Sequence, residues 1–392
     1  MPRTVYFDYN ATTPPDPAVR AAMLPFLGGG GGDVWGNPSS VHHVGRKARA
    51  LLDEARDRAA KFLGAKPSEI IFTSGGTEAN NLAIFGTARA LKAKGKHLIT
   101  SSIEHHAVSQ CFDCLEKNEG FSVTRLPVNA AGRVSVEDLR RSLRSDTVFV
   151  SVMAANNEIG TLQPVAELGA VCRERGIVFH TDAVQWFGKE PFTDLAQFNA
   201  NLVSLCAHKF HGPKGAGLLF IKSPLHPDPI LFGGAHENDR RAGTENLPAI
   251  IGLVTALEKF VFPPVFEPVR LKKLTSILKG TIENLPGCDL VSPNENCLAN
   301  TVSFVVRGAD GIALMAGLDV EGVYASSGSA CSAGSLEPSL VIKAIGRPEA
   351  ANSLVRFSLG RDSTAEEVYF VCSILPEVIS RAQLAQQTAS GL

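Results

Sequence analysis

Between about residues 50 and 260, short apolar runs alternate with stretches whose apolar positions recur at helical spacing. The runs lie at Glu69–Phe72, His97–Thr100, Val148–Met153, Ile177–His180, Leu202–Leu205 and Gly217–Ile221. Such alternation predicts an α/β architecture with a mostly parallel sheet, because parallel strands need a long crossover, usually a helix, between them. The pattern breaks at Phe260-Val261-Phe262-Pro263-Pro264-Val265-Phe266-Glu267-Pro268, where prolines interrupt a helical stretch. A domain boundary is expected there. Beyond it, strand runs at Thr301–Val306 and Leu354–Ser358 among helical stretches predict a smaller α+β domain.

Composition narrows the class without naming a function. At 392 residues, 44% apolar and 20% charged, the chain can bury sizeable cores, and its length favours two domains. A formal net charge of −1 argues against a nucleic-acid surface. The start Met1-Pro2-Arg3-Thr4-Val5-Tyr6-Phe7-Asp8 lacks the basic flank and apolar core of a signal peptide, and no run reads as long enough to span a bilayer, so a cytoplasmic protein is expected. Eight scattered cysteines predict reduced thiols. Cys111 and Cys114 form a C-x-x-C on one helix face with no second pair, which predicts a structural role and no metal site. The glycine run 28–32 reads as a flexible loop.

Ligand sites in α/β sheets gather at the carboxyl ends of strands, and polar clusters come directly after these runs. Thr73-Ser74-Gly75-Gly76-Thr77-Glu78-Ala79-Asn80-Asn81 leads from a strand into a helix. Its glycines let backbone approach a ligand and the first-turn amides favour an anion, although an ordinary helix cap uses similar residues. Asp182 closes another run, placed either to pair with a cationic ring or to cap the next helix. Lys209 comes after a third run in Ser204-Leu205-Cys206-Ala207-His208-Lys209-Phe210-His211-Gly212-Pro213-Lys214-Gly215, with no carboxylate in the run to pair with it. A lysine so held can lose its proton and add to a carbonyl. Anion cradle, carboxylate and amine are the parts that a pyridoxal-phosphate site needs. A P-loop is the competitor, but Gly212-Pro213-Lys214-Gly215 lacks its spacing. Cys331 lies among small residues in Ala325-Ser326-Ser327-Gly328-Ser329-Ala330-Cys331-Ser332-Ala333-Gly334-Ser335, which predicts an accessible thiol on a mobile loop.

Nearly end to end, these residues resemble the NifS/IscS group of cysteine desulfurases within the class-V aminotransferases. Further matching segments are Asp8-Tyr9-Asn10-Ala11-Thr12-Thr13, Gly36-Asn37-Pro38-Ser39-Ser40, Glu104-His105, Asn156-Asn157-Glu158-Ile159-Gly160, Arg241-Ala242-Gly243-Thr244 and Arg356-Phe357-Ser358-Leu359-Gly360-Arg361. The resemblance implies a fold-type I architecture, with residues 15–261 as the large domain and 1–14 with 262–392 as the small one. It implies a homodimer that converts L-cysteine to L-alanine and leaves a persulfide on Cys331, for iron–sulfur cluster assembly through a scaffold or for another sulfur acceptor. It places Lys209 in a Schiff base with pyridoxal 5'-phosphate, Asp182 at the pyridine nitrogen, Gln185 and Asn157 beside the ring hydroxyl, and His105 stacked on the ring. Gly76, Thr77, Cys206 and His208 would hold the phosphate, with Thr244 reaching it from the other subunit. Arg356, assisted by Asn37, would take the substrate carboxylate.

His105 is also a candidate proton carrier, since imidazole titrates near neutrality. A departure from the family's pattern is Cys206, which stands where a serine is usual and donates more weakly. A selenocysteine lyase on the same fold, or a non-catalytic sulfur-carrier protein, are the alternatives. Cys331 argues against a plain aminotransferase.

Overall fold

The computed structural model describes residues 4–28, 34–328 and 338–390. Cys331 and most of the glycine run lie outside the described residues. Among the described residues, twelve strands form three sheets: β1 (Val5–Tyr6), β2 (Ile70–Thr73), β3 (His97–Ser101), β4 (Ser122–Leu126), β5 (Thr147–Ser151), β6 (Val178–Asp182), β7 (Leu202–Cys206), β8 (Gly217–Ile221), β9 (Cys288–Leu290), β10 (Thr301–Val306), β11 (Val323–Tyr324) and β12 (Leu354–Ser358).

The largest sheet runs β2-β8-β7-β6-β5-β3-β4, parallel throughout except for β8, which is antiparallel to both its neighbours. Each of the six apolar runs between residues 50 and 260 is one of its strands. The seventh strand, β4, has no counterpart among those runs. Its Ser-Val-Thr-Arg-Leu lies on the sheet edge and is mostly half-buried, so it lacks the continuous apolar signature of a buried parallel strand. The fold is α/β, with helices packed on the sheet and an apolar core that includes Val150, Phe179, Val203 and Leu253.

A separate antiparallel sheet, β12-β10-β9, and the parallel pair β1-β11 share a second core with Phe7, Phe304, Phe357 and the long final helix Ala365–Ser390. That helix corrects one expectation, because over Ala365–Thr388 it is long and apolar enough by composition to cross a bilayer. Its apolar residues nevertheless form a helical stripe, and Val368, Val371, Leu375, Val378, Ile379 and Ala382 are buried in the second core. Thus the N-terminal strand belongs to the same core as the C-terminal third, and the adjoining segment, Asp8–Thr13, crosses to the large sheet. There the Thr13 amide bonds the His208 carbonyl.

Candidate functional site

The carboxyl ends of β2, β6 and β7 open onto one pocket, lined among others by Asn10, Gly76, Asp182, Gln185, Lys209 and Arg356. Lys209 ends a 3-10 turn, Ala207–Lys209, directly after β7. Its Nζ donates to the backbone carbonyls of Asn10 (2.7 Å) and Ala11 (2.8 Å). Both acceptors are backbone carbonyls, which orient the amine toward the N-terminal crossing segment.

Asp182 is the last residue of β6 and is buried. Its Oδ1 accepts from the Val184 N–H (2.9 Å) and its Oδ2 from Asn80 Nδ2 (2.7 Å). Burial raises its proton affinity, which those bonds and the Lys209 charge oppose. Each carboxylate oxygen keeps a lone pair for a further donor.

The helix Gly76–Asn81 opens with no side chain capping it, which favours the anion-cradle reading over the ordinary cap. A Cβ on Gly76 would stand 2.8 Å from Val184 Cγ2, so backbone alone fits here. The thiol of Cys206, fully buried and pushed up to about 11 mainly by burial, is itself a partner of the Gly76 N–H. His208, driven down to about 3 by burial and by Lys209, Lys214 and Lys189, is uncharged at neutral pH and contacts Thr12 Oγ1 through Nδ1 (3.2 Å).

His105 precedes the helix His106–Glu119 and caps it, its Nδ1 accepting from the Ala107 N–H (3.1 Å). Burial, then Lys209 and His106, lowers its pKa to about 4. Burial disfavours the charged form of this imidazole. With Nδ1 accepting, the proton sits on Nε2. Behind it Glu104 is buried, bonded through Oε1 to Ser101 Oγ (2.5 Å) and the Met153 N–H (3.0 Å), and pushed up to about 8 by burial first.

Arg356 projects from β12 into the pocket and is 1% exposed. Its Nη2 donates to Asp8 Oδ1 (2.7 Å) and its Nη1 to the carbonyls of Asn157 (2.9 Å) and Gly328 (3.2 Å). Its Nε is buried with no partner among the described residues, a donor that a ligand carboxylate can satisfy. The residues before Cys331 are tied to the same strand, since Ser326 pairs with Arg356 through backbone. Those after it are tied close by, where Ser339 Oγ donates to Glu158 Oε2 (2.5 Å).

The pocket thus gathers His105, Gly76, Thr77, Asn157, Asp182, Gln185, Cys206, His208, Lys209 and Arg356. Asn37 and Thr244 are not among its lining. Asn37 is exposed in a turn where its Oδ1 accepts from the Ser39 N–H, and Thr244 is exposed beside Arg241 in a separate concavity. Sequence reading missed Asn10, Asn80 and Lys189. The first two stand in recognisable motifs without a role, and nothing local marks Lys189. Among the described residues no cluster could hold a metal ion, and the seven described cysteines are unpaired.

Residues 5–371 match the family described as Aminotransferase class-V. The chain belongs to the class-V aminotransferase family. Among similar class-V aminotransferases, the cysteine desulfurase IscS of Dictyoglomus turgidum is 46% identical, covering 97% of this chain and 96% of that protein. The IscS of Methanosarcina thermophila is 45% identical over 97% and 93%. Two solved structures superpose closely. A NifS-like protein does so with a TM-score of 0.88 at 36% identity, over 96% of this chain and all of the other. SspA in complex with cysteine gives 0.79 at 36% identity, over 92% and 100%. The fold, a mostly parallel sheet joined to a smaller α+β unit, is that of these fold-type I class-V aminotransferases.

Proposed function

We propose that the protein is a cysteine desulfurase that uses pyridoxal 5'-phosphate, removing sulfur from L-cysteine to leave L-alanine and a persulfide on Cys331. The observation that carries the reading is the meeting of Lys209, Asp182 and Arg356 in one buried pocket beside an uncapped helix start. Membership among class-V aminotransferases, with desulfurases as relatives at above 40% identity, points the same way.

The donor set fits the cofactor. Asp182, held only by neutral groups, would pair with the ring nitrogen, and Gly76, Thr77, Cys206 and His208 would hold the phosphate. Gln185 and Asn157 would flank the ring oxygen, with His105, neutral, serving as the stacking surface. When bound, the cofactor acts as an electron sink that acidifies the substrate's α-carbon and loosens its carbon–sulfur bond.

The chain's own groups do the rest. Arg356 receives the substrate carboxylate and so sets which bonds face Lys209. The Lys209 amine, steered by the Asn10 and Ala11 carbonyls, moves the α-proton. The Cys331 thiolate bonds to the substrate sulfur as the carbon–sulfur bond breaks, and the carbon takes up a proton to give alanine. The segment bearing Cys331 is tied at both ends, through Ser326 to Arg356 and through Ser339 to Glu158, which supports its delivery to this pocket.

The same reading makes the enzyme a homodimer in which Thr244 of one copy serves the phosphate of the other. That Thr244 is exposed and outside its own chain's pocket supports this. Of the apolar clusters, one draws its buried residues from 19–261 and another from 5–9 with 266–382, which supports a division into residues 15–261 and 1–14 with 262–392. Free thiols support a reducing, cytoplasmic setting, with the persulfide passing to an acceptor such as an iron–sulfur scaffold. The test is direct. Purified protein given L-cysteine and a reductant should turn yellow with cofactor and yield equal alanine and sulfide. Full sulfide production by Cys331→Ala would overturn the persulfide step.

A further inference from the structure

Four residues beyond Gln185, Lys189 is a second buried lysine, 2% exposed. Among the described residues no carboxylate lies within ion-pair distance of it. Its Nζ donates to the Gln185 side-chain oxygen and to Asn10 Oδ1 (2.8 Å), and it lies 5.4 Å from the centre of the Phe266 ring. Burial is the main cause that holds its pKa well below the ordinary lysine range. Lys209 and Arg356 face it and push the same way, while Cys206 and Glu190 oppose. A charge-bearing group held at such cost with two amide oxygens as partners calls for a reason.

That reason lies in the orientation of the two amides. A side-chain amide can turn by 180° with almost no change of shape, exchanging a donor for an acceptor. A lysine amine that donates to Gln185 Oε1 disfavours the exchange and turns the Gln185 nitrogen away from itself. One N–H of that nitrogen goes to the Asn10 carbonyl (2.9 Å), the same oxygen that receives Lys209. The second N–H is the one that an oxygen in the pocket can take. Asn10 is fixed likewise, its Oδ1 held by Lys189 and by Asn300 Nδ2 (3.0 Å), its Nδ2 donating to Thr301 Oγ1 (2.9 Å) and the Asn157 carbonyl (3.3 Å).

We propose that Lys189 is a positioning residue for the cofactor. By holding the Gln185 and Asn10 side-chain oxygens it makes Gln185 present an N–H, and not an oxygen, to the anionic ring oxygen. This deepens the proposed cofactor binding and rests on it. With the donor in place, negative charge on the ring oxygen is stabilised and the adjoining cofactor nitrogen binds its proton less tightly. With Lys189 gone, the Asn10 carbonyl alone holds the Gln185 amide, its turned state becomes populated, and the nitrogen holds its proton to higher pH.

The experiment reads the visible absorption of cofactor-loaded protein against pH, not turnover. Lys189→Met should raise the pH midpoint of the band by about one unit. Lys189→Arg, which keeps donor and charge, should restore it toward the wild-type value. In a Gln185→Ala background, Lys189→Met should change the midpoint little, because the path through Gln185 is already cut. Where Met leaves the chain unfolded by circular dichroism, Lys189→Leu, which likewise removes the donor, carries the same comparison. An unmoved midpoint in coloured, folded Lys189→Met protein overturns the proposal. So does an equal shift with and without Gln185, which would mark a simple charge effect. Wild-type protein that stays colourless with added cofactor defeats the cofactor reading itself.

Discussion

The pocket has two walls, and they are built differently. One wall, Gly76–Asn80, Asp182 and Cys206–Lys209, stands at the ends of strands in the seven-stranded sheet. The other, Asp8–Ala11 and Arg356, is made by the N-terminal crossing segment and the small sheet, and its ion pair joins residues 348 apart in sequence. On the sheet wall, Asp182 is buried with only neutral hydrogen-bond donors as direct partners. On the crossing wall, Arg356 meets a carboxylate and two carbonyls. Groups with unspent bonding capacity are the ones available for chemistry, whereas groups that satisfy one another also hold the structure. Substitutions in the sheet wall should therefore cost turnover and spare stability, and those in the crossing wall should cost both.

Lys209→Ala gives the largest expected effect. Removing the amine that moves the α-proton should lower alanine formation at least about 10³-fold, with folding unchanged by circular dichroism. Near-normal turnover in this variant would place the chemistry elsewhere.

Asp182→Asn separates the walls most sharply. The isosteric amide keeps the Asn80 and Val184 neighbourhood but removes a carboxylate whose charged form burial disfavours. Turnover should fall by about 10²-fold or more, while the urea midpoint stays equal or rises. Arg356→Ala should fail in both respects. It leaves Asp8, itself mostly shielded, without its guanidinium, and losing one partner of a buried pair costs about 3 kcal/mol. It should also raise KM for cysteine through loss of the carboxylate clamp. If Arg356→Ala were as stable as the parent in urea, the distinction between the walls would collapse.

The walls also differ in how far the sequence discloses them. A strand run leading at once into Gly75-Gly76-Thr77, Asp182 or Lys209 is a local pattern, so the sheet wall and its order could be read directly. The crossing wall depends on contacts between distant segments. Asn10 lies in a recognisable motif, yet its partners Thr301, Asn300 and Lys189 become neighbours only when the N-terminal segment crosses between the cores. Lys189 has no local mark at all, because its significance is burial without a carboxylate, a property of packing. The depressed titration of His105 is hidden from the sequence for the same reason. Asn37 and Thr244 lie outside the pocket of a single chain, where no local pattern could place them.

The smallest effect on turnover is expected at Glu104, which stands behind His105 on the sheet side and resembles Asp182 in lacking a cationic partner. Its folded pKa is raised from 4.5 to about 8, chiefly by burial. Below about pH 4.5 it is protonated in both folded and unfolded chains and contributes its full stability. Between about 4.5 and 8 the unfolded chain releases the proton that the folded chain keeps, so the folded state binds more protons and stability falls as pH rises. Glu104→Gln keeps an uncharged group of the same size, able to accept from the Met153 N–H, and does not titrate. Its melting temperature relative to the parent should therefore climb between pH 5 and pH 8, with alanine formation at neutral pH close to unchanged. A parallel pair of melting curves across that range would mean that Glu104 ionises in the folded protein, and that the sheet wall holds its acids with charges of its own.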